Sequence, residues 1–140
     1  MEIAPVFNAQ TIALVSNDTL WFVMEADANL KAFVRLLHKD PPSTAWVDLL
    51  APPDPNEGSP RSLIVNINHP ASALHGDSIG WIIACASLTP ATAGTFPVKV
   101  QLFQGPNATT RQRLTNIARY DLALSATQIT GIISDAIRIQ

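Results

Sequence analysis

A period of two in hydropathy runs through most of this chain, and that is the period of a pleated strand, whose side chains alternate between two faces. Residues 63–68 show it cleanly, with Leu63, Val65 and Ile67 on one face and Asn66 and Asn68 on the other. Residues 96–103 repeat it, as do residues 114–124, which put Leu114, Ala118, Tyr120, Leu122 and Leu124 on one face. Residues 11–16 and 19–25 flank the turn pair Asn17-Asp18 and read as a hairpin. Residues 30–38 alternate too, although Leu30, Phe33, Val34 and Leu37 also fall at helical spacing, and Pro41-Pro42 stops either form. Residues 78–88 are nearly all apolar or small, as expected of a central strand covered on both faces.

Turn residues punctuate these segments. Residues 51–60 hold four prolines and read as a connection over one end of the fold. Gln104-Gly105-Pro106-Asn107 closes the strand before it. The C-terminal segment reads two ways. Ile129, Ile132, Ile133, Ala136 and Ile137 lie at helical spacing behind a Ser125-x-x-Gln128 capping box, yet its Ile and Thr content and Gly131 favour a strand. About seven or eight short strands in one domain over residues 1–140 give an all-β, antiparallel β-sandwich or jelly-roll-like fold. Trp21, Trp46 and Trp81 fall on three different strands and are expected to anchor its core.

Charge is sparse. Only 14% of residues are charged, against an average of about 25%, while 47% are hydrophobic. That composition excludes a disordered chain. By mass scaling a fold of this size exposes roughly 7,000 Å², which leaves roughly one charge per 350 Å². A surface so thinly charged is expected to be covered in part by copies of the same chain, giving a homo-oligomer. The charges are also unevenly placed: residues 1–60 carry eight acids and three bases, residues 61–140 six bases and three acids. Such a split permits contacts between unlike halves, within one fold or between subunits. A net charge of −2 without a dense Lys/Arg cluster argues against nucleic acid, and no apolar run is long enough for a membrane span.

The first residues, Met1-Glu2-Ile3-Ala4-Pro5, lack the basic and apolar regions of a secretory signal, so synthesis in the cytoplasm is expected, with a particle or virion component as one destination. Cys85 is the lone cysteine, which excludes a disulfide scaffold; within Ile82-Ile83-Ala84-Cys85-Ala86 it reads as a buried thiol.

Gly76-Asp77-Ser78-Ile79-Gly80 resembles the Gly-Asp-Ser of lipase-like esterases and the Gly-Asp-Ser-Gly-Gly of trypsin-like proteases. The first family needs a histidine near the C-terminus, and none follows His75; the second needs a glycine where Ile79 stands. A Gly-Asp turn entering a strand is the better reading. His38, His69 and His75 lack the close spacing by which one element presents two metal ligands, and read as solvent-exposed or turn residues. No phosphate-binding glycine loop is present and nothing selects a carboxylate pair, so no catalytic, cofactor or metal residue is assigned. Leu102-Phe103-Gln104-Gly105-Pro106 resembles the recognition string of picornavirus 3C-type proteases, which advises against using such a protease on this protein.

These features point to a non-catalytic protein that works through its surface, a self-associating subunit such as a coat, tail or decoration component. Ile129, Ile133, Ile137 and Ile139 are the candidate assembly contacts, on a terminal segment that can also dock on a neighbour's sheet edge. The alternative is a carbohydrate-binding module or lectin, in which Trp46 with Asp48, or Trp81 with Asp77, offers a stacking platform beside a polar group to a glycan. A small hydrolase is the remote alternative.

Overall fold

Strand 78–87 sets the architecture, because its two apolar faces require neighbours on both sides and a layer beneath. The computed structural model describes residues 7–40, 45–49, 62–67, 71–88, 94–107, 109–114 and 118–140. The proline-rich stretch 51–60, His69 and the first five residues lie outside the described residues. In chain order the strands are β1 (Phe7–Ile12), β2 (Leu20–Ala26), β3 (Leu30–Lys39), β4 (Val47–Asp48), β5 (Ser62–Ile67), β6 (Ser78–Ser87), β7 (Gly94–Gln104), β8 (Gln112–Arg113), β9 (Ala118–Leu124) and β10 (Thr130–Ile139), with a 3-10 turn at Ala71–Ala73. Eight have six or more residues; β4 and β8, with two each, raise the count above the seven or eight expected.

Two sheets result. Sheet A runs β1-β10-β6-β3-β4, and sheet B runs β5-β2-β7, with β8 and β9 sharing the far side of β7. Every pairing is antiparallel except that of β1 with β10. The inner faces meet in one core that includes Leu20, Phe22 and Met24 from β2, Ile79, Trp81 and Ile83 from β6, and Ile133 and Ile137 from β10. The rings of Phe22 and Trp81 lie 5.8 Å apart and tilted, a favourable aromatic geometry between the sheets.

The β-sandwich fold expected from the alternation is present, and the ambiguous segments are strands. Residues 30–39 pair with β6 over their whole length, so tertiary pairing overrides their helical spacing. The C-terminal segment is strand β10, enclosed in its own sheet between β6 and β1. The hairpin expected around Asn17-Asp18 does not form. β1 joins sheet A and β2 sheet B, and the connection between them is held by Gln104. That side chain is buried and makes four hydrogen bonds: Oε1 accepts from the Val15 and Ser16 amides, and Nε2 donates to the Ser16 and Asp18 carbonyls. A turn signal marks where the chain bends but not which strand pairs next.

Of the three tryptophans only Trp81 belongs to the buried core. Trp21 points to the outer side of β2, where its Nε1 donates to the Gly105 carbonyl at 3.0 Å. Trp46 is half-buried beneath the Lys39 ammonium, 4.9 Å from the ring centroid.

Candidate functional site

Register fixes what the outer face of sheet A displays. Across β3, β6 and β10 the directly opposed residues form rows: Phe33–Ala84–Ile132, Arg35–Ile82–Ser134 and Leu37–Gly80–Ala136. The last row is covered, with Leu37 and Ala136 buried. The first two are half-buried at best, and Ile132 is 52% exposed. Continuing along β6, Ala86 is half-buried and Leu88 is 51% exposed. The result is a continuous apolar strip of Phe33, Ile82, Ala84, Ala86, Leu88 and Ile132 on the three central strands. Charged and polar groups frame it: Lys31 near the ring of Phe33, Thr130, Ser134, Lys39, and Arg35 in a two-pronged pair with Asp48. An apolar centre with a polar rim is the anatomy of a protein interface.

The residues assigned from sequence occupy other places. Ile133, Ile137 and Ile139 point into the chain's own core, and Ile129 sits just before β10, 38% exposed, with its carbonyl bonded to the Ser87 amide. Because β10 already pairs on both sides, it is no free arm, and its exposed large apolar side chain is Ile132, one residue out of phase with the buried set. Of the two tryptophan platforms, that of Trp81 is buried, and in the other the ring of Trp46 is occupied by Lys39. Trp81 is 4% exposed, and its indole N–H is bonded to Tyr120. Asp48 is taken up by Arg35, whose guanidinium holds the carboxyl below its ordinary pKa of 3.8.

Asp77 is buried and meets His38, which is not the solvent or turn residue expected: Nε2 and Oδ2 lie 2.6 Å apart. No spacing rule could find this pair, since β3 and β6 bring together residues 39 apart. The Gly-Asp-Ser string therefore does acquire a histidine, from upstream. Yet His38 shares a row with inward-facing Ile79, whereas Ser78 shares the opposite row with Lys39 and Arg138. The strand's period of two puts the hydroxyl on the other side of the sheet from the imidazole, and no nucleophile–base relay is formed by Ser78. Among the described residues no group of three or more His, Cys, Asp or Glu side chains is placed to hold a metal ion, and no helix is long and apolar enough to cross a membrane.

Residues 78–88, expected to be covered on both faces, are buried throughout on the inner face alone; the outer face stays half open from Ile82 onward, and the register extends its apolar strip to Phe33 and Ile132. No family model matches the chain, and no curated protein matches it. Among solved structures it is similar to a DUF4425 family protein from Bacteroides ovatus ATCC 8483, with a TM-score of 0.42 and 9% identity over 86% of this chain and 96% of that one, a likeness too distant to carry a functional argument.

Proposed function

We propose that the protein is a non-catalytic subunit that self-associates through the outer face of sheet A, with a second copy of the chain as the occupant. The observation that carries this reading is the strip Phe33–Ala84–Ile132 with Ile82 and Leu88, left open on strands otherwise buried. The total accessible surface is 7665 Å² for 20 charged side chains, so charge does little to keep such a strip in water.

The apolar strip, more than charge, sets the geometry. Lys31, Arg35, Lys39 and Arg138 outnumber Asp48 on the outer face of sheet A. On the outer face of sheet B, Lys99, Arg113 and Arg119 outnumber Glu25 and Asp121. Both outer faces thus carry more cations than anions, and what favours a two-fold pair of A faces is that it places apolar centre on apolar centre, with the Arg35 charge offset by Asp48. The three ten-residue strands outline a centre of about 33 by 14 Å, and β1 and β4 at its edges extend it toward the ~800 Å² that a standard interface buries on each partner. A back-to-back pair of this kind is a unit from which a coat, tail or decoration component can be built. The test is the mass in solution of the native chain and of Ile132→Asp, with a multimer expected for the first and a folded monomer for the second.

A further inference from the structure

Sheet B carries a different kind of site on its outer face, on the opposite side of the sandwich from the assembly strip. Alternation directs Val23 and Glu25 of β2 and Lys99, Gln101 and Phe103 of β7 outward, and register sets Val23 beside Gln101 and Glu25 beside Lys99. On the far side of β7, the pairing with β9 stops at Val100 and that with β8 starts at Phe103. With Arg111, these side chains line a depression of about 160 Å³. That is the scale of one small ring or a few polar groups.

Arg111 is held in place by local structure. Its guanidinium lies 4.4 Å from the Phe103 ring centroid. The preceding turn is fixed by Asn107, whose Oδ1 accepts from the Thr109 and Thr110 amides and from the Thr109 hydroxyl. Gly105 packs against Thr110 and Arg111 so closely that a Cβ there would collide with backbone, and its carbonyl accepts from the Trp21 indole. A guanidinium stacked on a ring keeps its N–H edge in one plane, suited to a planar carboxylate.

We infer that this depression binds a carboxylated saccharide, a uronate residue of an acidic glycan. Lys99 and Arg111 supply two cations for the carboxylate, which favours an acidic sugar over a neutral one. Glu25 on the same rim repels a bare anion but accepts hydrogen bonds from hydroxyls, so the ligand must carry both charge and hydroxyl donors. Gln101 adds an amide that can donate or accept, and Val23 with the edge of Phe103 gives the apolar patch on which a sugar's C–H face rests. A uronate meets all of these demands at once; inorganic phosphate and duplex nucleic acid do not.

The inference does not depend on self-association, and a folded monomer can be tested as well as a multimer. Glucuronate is titrated into 15N-labelled protein, with glucose and inorganic phosphate at equal ionic strength as comparisons. A single-ring ligand in so shallow a site binds on the order of millimolar. Amide shifts confined to residues 23–25, 99–103 and 111, with the Trp21 indole, are expected for glucuronate, with a Kd about tenfold below those for glucose and phosphate. Arg111→Ala is expected to abolish the shifts while keeping a dispersed spectrum, and Arg111→Lys to weaken binding partially. Equal response to glucuronate and phosphate, equal response to glucose, no shift at these residues, or unchanged binding in a folded Arg111→Ala variant would each overturn the assignment.

Discussion

Trp81 in sheet A and Tyr120 in sheet B are joined across the sandwich, the indole Nε1 donating to the phenol oxygen at 3.2 Å while the phenol donates in turn to Asp135 Oδ2 at 2.8 Å. Asp135 is the cross-strand neighbour of Trp81, so one tyrosine from β9 closes a bridge onto two strands of the opposite sheet. Asp135 Oδ1 accepts from the Ala136 amide, which leaves both carboxylate oxygens engaged.

Tyr120 is the chain's one tyrosine, so its ionisation is read directly from phenolate absorbance. Burial, then the hydrogen bond to Asp135, push its pKa far above the ordinary 10.0, against a smaller opposing effect of Trp81. The folded chain therefore keeps a proton that the unfolded chain gives up. The stability this contributes is fully present below pH ~10 and is lost as pH rises from there toward the folded pKa. Phenolate absorbance is expected to stay low in the native protein well past pH 10 and to appear with unfolding. Tyr120→Phe should cost about 1–3 kcal/mol at neutral pH, measured by denaturant unfolding, because Asp135 and Trp81 lose their partner.

Cys85 is 2% exposed, and burial raises its thiol from 9.0 to about 11. At neutral pH it is a thiol with almost no thiolate, the unreactive form. An aromatic disulfide reagent is expected to label the native chain only at the rate of its opening, and to label one site per chain rapidly in denaturant. Fast native labelling would show that β6 is not held as described.

Gln104 is 2% exposed and uses all four of its hydrogen bonds on residues 15–18. Gln104→Leu is expected to destabilise by at least about 2 kcal/mol, since several buried backbone groups lose partners together. The 3C-type recognition string is sequestered with it, so that protease is expected to spare the native chain and cut it after unfolding. Native cleavage at Gln104 would contradict the described turn.

Asp48 titrates below its ordinary 3.8 because Arg35 binds it at the surface. Its contribution is present above that pH and lost as pH falls through the lower folded value. Arg35→Gln is expected to return the carboxyl resonance of Asp48 toward 3.8, with a stability change too small to resolve, as for most exposed pairs.

The strands were legible from the sequence because alternation is a local property: residues 63–67, 96–103 and 118–124 all fall on strands. Their partners were not. Asn17-Asp18 bends the chain from one sheet to the other, a choice made by the distant amide of Gln104. Ile133, Ile137 and Ile139 stand out in the sequence by their apolar character, but a strand has two faces and phase alone does not say which one is outward. Register with β6 settles it, sending Ile132 outward and those three inward. The groove on sheet B was invisible for a similar reason, since Glu25, Lys99 and Arg111 meet only through pairing of β2 with β7 and a turn fixed by Asn107.

The central claim is that copies of this chain cover the strip Phe33–Ala84–Ile132. Light scattering behind a sizing column, at low and high salt, measures it directly. A mass of about 30 kDa or a defined multiple, against 15.1 kDa for the single chain, is predicted. It should persist at high salt because the contact is apolar, and fall to the single-chain mass in a folded Ile132→Asp variant. A native chain of 15.1 kDa at every concentration would contradict the claim.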